Sequence, residues 1–169
     1  MSPAFAIRIL SWPEALPLAR PVREKVFIEE QQVPLELEWD EWDGRCDHAV
    51  ACNAGGHPIG TARLDPGGKL GRMAVLREWR GRGVGAALLD ALLGRARERS
   101  LARVTLHAQT HAAGFYRRFG FSERGGGVLE AGFPRLEPGL APCPASFARS
   151  NARGRKEPLK STQPVGGCR

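Results

Sequence analysis

A glycine- and arginine-rich segment that directly precedes the longest amphipathic run constrains the fold most. It reads Arg-Gly-Arg-Gly-Val-Gly-Ala over residues 80–86, and apolar residues recur at helical spacing through residues 81–100. A β-rich run at residues 69–76 precedes it. The pattern predicts a strand, a tight glycine loop and a helix, with free amide groups at the start of the helix.

Such a loop suits an anion, above all a pyrophosphate. The helix dipole favours a negative charge at this end by about 0.3–1 kcal/mol. Arg80 and Arg82 can add charge-assisted hydrogen bonds to phosphate. A P-loop is excluded, because Val84-Gly85-Ala86 stands where Gly-Lys-Ser/Thr is required.

Three interpretations of the loop stay open when it is taken alone. A dinucleotide fingerprint fits Gly81, Gly83 and Ala86 nominally, but no acidic residue follows about 20 residues later. A phosphate-binding loop of the form Arg-x-x-Gly-x-Gly after an internal strand fits Arg80, Gly83 and Gly85. A glycine-rich loop without any ligand is the third interpretation, since glycine motifs are promiscuous.

The remaining pattern predicts a mixed sheet flanked by helices, in the order β-α-β-β-β-α-β-α-β. Pro13, Pro17 and Pro21 are expected to break up any long early helix, and Pro21 to occupy the first turn of a helix that follows. Gly120 is expected to end the last helix. Strands are predicted at residues 5–10, 48–53, 58–64, 69–76 and 103–107, helices at 21–30, 81–100 and 111–119, and a hairpin within 121–136.

The composition changes beyond residue 136 to Pro, Gly, Ser, Ala and Arg without periodicity. We therefore predict a domain over residues 1–138 and a basic, disordered tail over residues 139–169. The tail holds six Lys/Arg and one Glu, a net +5 of the chain's +7. The basicity thus says little about the folded part, and no specific nucleic-acid partner is expected. An appended tail and a reading-frame slip both remain open as its origin.

Several classes of protein are not indicated. No apolar run approaches the roughly 18–20 residues that cross a bilayer, so no membrane partner is expected. The four cysteines contain no C-x-x-C pair, and the first residues lack a signal pattern, which together predict a cytoplasmic location. His107 and His111 straddle a predicted strand end and helix start without a third ligand, so no metal is expected.

A second motif runs from Gln109 to Phe121, Gln-Thr-His-Ala-Ala-Gly-Phe-Tyr-Arg-Arg-Phe-Gly-Phe. It resembles the signature N/Q-x-x-A-x-x-F-Y-x-x-x-G-F of GNAT N-acetyltransferases at every fixed position. The loop and the run Gly-Arg-Met-Ala-Val at residues 71–75 complete three motifs in the expected order. Val-Phe-Ile-Glu-Glu-Gln at residues 26–31 further resembles the ElaA-like bacterial branch.

The resemblance covers about residues 1–134. It implies an α/β (α+β) fold with a mixed, mostly antiparallel central sheet, and acetyl-CoA as co-substrate. Main-chain groups of β-rich residues 73–75 would pair with the pantetheine arm, and the loop amides would hold the pyrophosphate. The residues expected to bind acetyl-CoA are Met73, Ala74, Val75, Arg80, Gly81, Arg82, Gly83, Val84, Gly85, Ala86 and Gln109.

Tyr116 is expected beside the thioester sulfur as the acid that protonates the leaving thiolate. A tyrosine of pKa near 10 can protonate a thiolate whose own pKa is near 8.5. Outside this motif, Tyr116 would be interpreted as a core aromatic. The strand at residues 72–75 lacks the carboxylate or His base that many members place there, and Arg135 replaces the branch's closing His. Glu30 is the predicted base acting through water; its alternative is an exposed helix-end carboxylate.

An acidic segment at residues 36–43 either attracts a cationic amine or forms a solvated loop with two packed tryptophans. The leading hypothesis is an N-acetyltransferase that uses a small-molecule or peptide amine and direct attack on the thioester. The alternatives are a non-catalytic acyl-CoA-binding module with a degenerate acceptor site and a basic-tailed nucleic-acid binder. The oligomeric state stays open, a homodimer included.

Overall fold

The computed structural model of the chain describes residues 4–133. The predicted domain boundary at residue 138, the predicted tail and Arg135 lie outside the described residues. Seven strands form one sheet: β1 (Phe5–Leu10), β2 (Asp47–Asn53), β3 (Pro58–Leu64), β4 (Lys69–Val75), β5 (Arg103–His107), β6 (Ser122–Gly125) and β7 (Val128–Gly132). The spatial order is β1-β2-β3-β4-β5-β7-β6.

Four α-helices and several shorter helical segments flank the sheet. The α-helices are α1 (Trp12–Arg23), α2 (Leu35–Glu38), α3 (Val84–Glu98) and α4 (Ala113–Arg117). A π-helical segment, Glu24–Glu30, continues α1, and 3-10 turns occupy Glu41–Arg45, Arg77–Trp79 and Thr110–Ala112. Within the described residues β4 and β5 pair in parallel, whereas the other five neighbouring strand pairs are antiparallel. The expected fold class is therefore confirmed.

The apolar stripe of α3 forms the centre of the main core. Leu88, Leu89 and Leu92 are fully buried there, against Leu64 of β3 and Val104 of β5. Burying each such side chain contributes about 1.5–3 kcal/mol. This packing fixes the start of α3 relative to the middle strands of the sheet.

The early helix is longer than predicted, so the expectation that prolines would interrupt it is wrong. Pro13 lies in the first turn, where no amide donor is needed, and Ser11 and Glu14 form a capping box. The three prolines are four residues apart and all exposed, so water can bond the carbonyls they leave free. The opposite face buries Ala15, Ala19 and Val22, whose packing offsets the lost hydrogen bonds.

The other elements agree closely with the predicted ones. The strands over residues 5–10, 58–64 and 103–107 have the expected bounds, and the final hairpin forms across Gly125–Gly127. The predicted helix at 81–100 is shorter, Val84–Glu98, because Gly81 and Gly83 take left-handed conformations with φ of +72° and +83°. Gly120, at φ +86°, follows the last helix as expected.

Candidate active site

A gap between β4 and β5 is the central feature of the site. The first residues of β4 pair with the second half of β5, Lys69 with Thr105 and Leu70 with Leu106. Beyond these pairs the β5-facing edge of residues 71–75 has no strand partner among the described residues. The divergence coincides with a bulge in β4, where the register with β3 shifts between Thr61 and Arg63.

Arg72 lies in the bulge of β4 and has an unusual backbone conformation. It adopts φ +50°, a left-handed conformation that costs a non-glycine residue about 1–3 kcal/mol. Its guanidinium compensates by contacting the acidic segment: Nη2 lies 3.0 Å from the Leu37 carbonyl oxygen and 3.4 Å from Asp40 Oδ2. Nε lies 3.7 Å from Glu38 Oε2. The acidic segment therefore helps to hold the strand open.

The gap forms a cavity of about 340 Å³. Its walls come from β4, the end of β5, α4 and the π-helical segment. They include Phe27, Arg72, Met73, Gln109, His111 and Tyr116. Three of the residues predicted from the sequence, Met73, Gln109 and Tyr116, are thus brought together around one cavity.

Tyr116 is one of the residues that line this cavity. Its hydroxyl oxygen lies 3.6 Å from Met73 Sδ, a weak acceptor that leaves the proton available. Phe115 and Phe121 pack edge-on against the ring, with centroids 5.0 and 5.9 Å away. Burial raises the pKa of Tyr116 above its ordinary value, so the phenol is protonated at neutral pH. The residue can therefore act as a proton donor.

The glycine loop leaves the start of α3 open. Gly83 is the N-cap, and no side chain caps the helix or places an acid in its first turn. Because Ala87 is the first residue whose amide bonds back, to Gly83 at 3.0 Å, the amides of Val84, Gly85 and Ala86 lack helical acceptors. A Cβ added to Gly85 would lie 3.8 Å from Phe115 and 3.9 Å from Val75, so the start of α3 packs against α4 and the end of β4.

The two loop arginines have different surroundings. Arg82 places its guanidinium 5.2 Å from the centre of the Trp79 ring, a cation–π contact. Arg80 donates from Nε to the Val75 carbonyl oxygen at 2.9 Å and from Nη2 to Glu30 Oε2 at 2.8 Å. The Val75 carbonyl, expected to pair with pantetheine, is thus bonded to Arg80.

Of the other predicted site residues, Glu30 and Ala74 have side chains that do not line the cavity. Glu30 does not line it, because its carboxylate is bound to Arg80 at the loop. The Ala74 side chain is 2% exposed and packs against Val22 and Val26 on the helical side of the sheet. Only the main chain of Ala74 can therefore face a ligand in the gap.

The acidic segment is only partly a solvated loop, because two of its five acids are buried; its attraction for a cationic amine stays a prediction. Glu38 and Asp43 are each 1% exposed. Arg23, equally buried, donates to Glu38 Oε1 at 2.5 Å and to Asp43 Oδ1 at 2.9 Å. Arg63 Nη1 lies 2.7 Å from both Asp40 Oδ1 and Asp43 Oδ1.

Three arginines thus compensate the three inward-facing acids of the segment. The hydrogen bonds from Arg63 lower the pKa of Asp40, which stabilises its charged form. Glu36 and Glu41 remain exposed. Sequence patterning missed the network because the arginines are 15 to 35 residues away in the chain. One sequence signal could have revealed this network. It is the recurrence of arginines within otherwise apolar elements, such as Arg23 after Val22.

Comparison with known families decides the class of protein. The family model described as Acetyltransferase (GNAT) domain matches residues 19–137. The chain belongs to the GNAT acetyltransferase family. It is 39% identical over 122 residues to the uncharacterized N-acetyltransferase YjcF of Bacillus subtilis, covering 69% of this chain and 85% of that protein. This GNAT protein is therefore an acyltransferase, as the resemblance implied.

Two solved structures share the GNAT fold of this protein. Escherichia coli ElaA has a TM-score of 0.63 at 24% identity, covering 75% of this chain and 97% of that one. A GNAT acetyltransferase from Brucella melitensis in complex with acetyl-CoA has a TM-score of 0.59 at 23% identity, covering 79% and 91%. At these identities the likeness concerns the fold.

The described part of the GNAT domain shows neither a membrane-spanning helix nor a cluster of metal ligands. Within residues 4–133 no helix is long and apolar enough to cross a membrane. In the same part of the chain no group of three or more His, Cys, Asp or Glu side chains is placed to hold a metal ion. The absence of a metal in the reaction remains a prediction.

Proposed function

We propose that this GNAT acyltransferase carries an acetyl group from acetyl-CoA to a primary amine by direct attack on the thioester. The observation that carries the proposal is that Tyr116 lines the β4–β5 gap with its hydroxyl beside Met73, while the neighbouring Phe115 lies close to Gly85 at the uncapped start of α3. A thioester bound along the gap with its pyrophosphate at the loop would bring its reacting end toward Tyr116. The Brucella relative, solved with acetyl-CoA, supports this choice of co-substrate.

The residues present fit acetyl-CoA. The unpaired edge of β4 offers main-chain groups of Met73 and Ala74 to an extended arm, as an added strand would use them. The free amides from Gly81 to Ala86 suit the pyrophosphate, which the helix dipole favours at this end. Gln109 adds a side-chain amide at the opposite wall. Acetyl-CoA supplies the activated acyl group.

Tyr116 is the acid in the proposed step. The neutral amine attacks the thioester carbonyl carbon, a C–N bond forms and the C–S bond breaks. The departing sulfur takes the phenolic proton of Tyr116, and the surplus proton of the amine passes to water. Because no covalent enzyme intermediate forms, the step needs no cysteine nucleophile. Reprotonation of the Tyr116 phenolate from solvent restores the enzyme.

The acceptor class is a small-molecule or peptide amine. No carboxylate lines the cavity within the described part of the chain, and the expected closing His is Arg135, outside that part. This observation favours one alternative, a non-catalytic acyl-CoA-binding module with a degenerate acceptor site. We also propose a cytoplasmic location, since Cys46 and Cys52 are free thiols.

Turnover and binding together test these proposals. Calorimetry measures acetyl-CoA affinity, and a thiol reagent follows CoA release against a panel of polyamines, aminosugars, amino acids and peptides. Release that depends on one amine class, with a matching acetylated product by mass spectrometry, supports the transferase. Binding without turnover on any amine supports the binding module. Absence of binding contradicts both.

A further inference from the structure

Glu30 and Arg80 form a bridge between the π-helical segment and the start of the glycine loop. Arg80 Nη2 lies 2.8 Å from Glu30 Oε2, and Arg80 Nε lies 2.9 Å from the Val75 carbonyl oxygen. The two partners are 50 residues apart in sequence. The Arg80 guanidinium is thus held on two sides, by the end of β4 and by the helical layer.

The Glu30–Arg80 bridge lies directly before the turn of the glycine loop. Gly81 follows Arg80 directly, and its φ of +72° begins the turn toward Gly83 and the open amides of α3. An arginine anchored to β4 and to Glu30 restricts the direction in which the chain enters this turn. A loop shaped before binding loses less conformational entropy when it closes on a pyrophosphate.

We propose that Glu30 is a positioning residue that acts through Arg80 on the phosphate-binding loop, and that it takes no part in proton transfer. The inference rests on the proposed acetyl-CoA site. It replaces the role of base that the sequence suggested for Glu30, because the carboxylate lies on Arg80 rather than in the cavity.

Variants of Glu30 distinguish the positioning role from two other roles, a general base and a latch that competes with the cofactor. A base needs an ionisable oxygen, so both Glu30→Ala and Glu30→Gln would lose turnover by about 10²-fold or more. A latch that competes with the cofactor would give tighter acetyl-CoA binding in both variants. A positioning role needs only an acceptor for the Arg80 N–H group, which the glutamine side chain keeps and alanine lacks.

The experiment compares Glu30→Ala, Glu30→Gln and the neighbouring control Glu29→Ala on the full-length protein. Glu29 is exposed, and its carboxylate makes no ion pair within residues 4–133. The readouts are acetyl-CoA Kd by calorimetry, kcat with a saturating amine, the pH profile of kcat and the melting temperature. An exposed pair of this kind contributes little to fold stability, so all three variants should melt near wild type.

If Glu30 positions Arg80, the acetyl-CoA Kd should rise about three- to tenfold in Glu30→Ala. It should return to within about twofold of the wild-type value in Glu30→Gln and stay unchanged in Glu29→Ala. The kcat and its pH profile should stay as in wild type. Loss of kcat in Glu30→Gln, tighter binding in either Glu30 variant, or an unchanged Kd in Glu30→Ala overturns the inference. If wild type binds no acetyl-CoA, the proposed function fails instead.

Discussion

Replacing the buried Arg23 by methionine should destabilise the fold strongly without touching the cavity. Methionine fills much of the same length but removes the donors to Glu38 and Asp43, whose side chains are 1% and 2% exposed. It also removes the donor to the Glu38 carbonyl oxygen at 2.6 Å and the cation stacked 4.5 Å from the Trp39 ring.

The size of the destabilisation follows from the ion-pair partners that Glu38 and Asp43 keep in the variant. Asp43 keeps Arg63 at 2.7 Å, but Glu38 keeps only Arg72, at 3.7 Å. Removing one partner of a buried ion pair costs about 3–5 kcal/mol, since it leaves an uncompensated buried charge. For the roughly 130 residues that the structure describes, this corresponds to a melting temperature lower by roughly 10–18 °C.

Urea denaturation at neutral pH, followed by far-UV circular dichroism, measures this loss. Arg23→Lys is the control that keeps the charge but loses the planar fork, and it should cost less than Arg23→Met. The double variant Arg23→Met/Glu38→Met should recover part of the loss, because no buried charge is left at position 38. An Arg23→Met protein within about 1 kcal/mol of wild type would refute the argument.

Three further predictions concern the site and the core. Gly85→Asp should weaken acetyl-CoA binding about tenfold or more relative to Gly85→Asn, yet melt no lower than it, because an acid at a helix start repels phosphate but stabilises the helix by about 0.3–1 kcal/mol. Tyr116→Phe should lower kcat about 10²–10⁴-fold with acetyl-CoA affinity changed only a few-fold, since only the proton donor is lost. Burial lowers the pKa of His48, so its contribution to stability is complete above about pH 6.5 and is lost as pH falls through the lowered folded value. The melting temperature should therefore fall from pH 7 to pH 5, and His48→Gln should flatten that fall.

Each of these has a distinct contrary result. Equal acetyl-CoA affinities for Gly85→Asp and Gly85→Asn would place the pyrophosphate away from α3. Full kcat in Tyr116→Phe, with chemistry rate-limiting, would make Tyr116 a packing residue only. A pH dependence of melting that is identical in wild type and His48→Gln would show that His48 is not the group that titrates.

The strand, glycine loop and helix over residues 69–98 were predictable from local patterning. The left-handed conformations of Gly81 and Gly83, the helical stripe of α3 and the final hairpin depend on residues close together in the chain. Backbone preferences and hydrophobic periodicity act over just such distances. Two of the three motifs that identify the GNAT family lie on these elements and the third, at residues 109–121, is equally local, so the family too was predictable.

Tertiary packing decided two kinds of feature. One is a helix that a buried face stabilises against its local sequence preference, and the other is an ion pair between residues far apart in the chain. The proline-bearing α1 persists because its alanine face is buried on the sheet. Glu38, Asp40 and Asp43 are compensated by arginines from α1, β3 and β4. Glu30 meets Arg80 across 50 residues of chain. A sequence shows the same residue type whether a carboxylate faces water, acts as a base on a substrate or pairs with an arginine. Only the fold, which sets the distance to the opposite charge and the water between them, distinguishes these states.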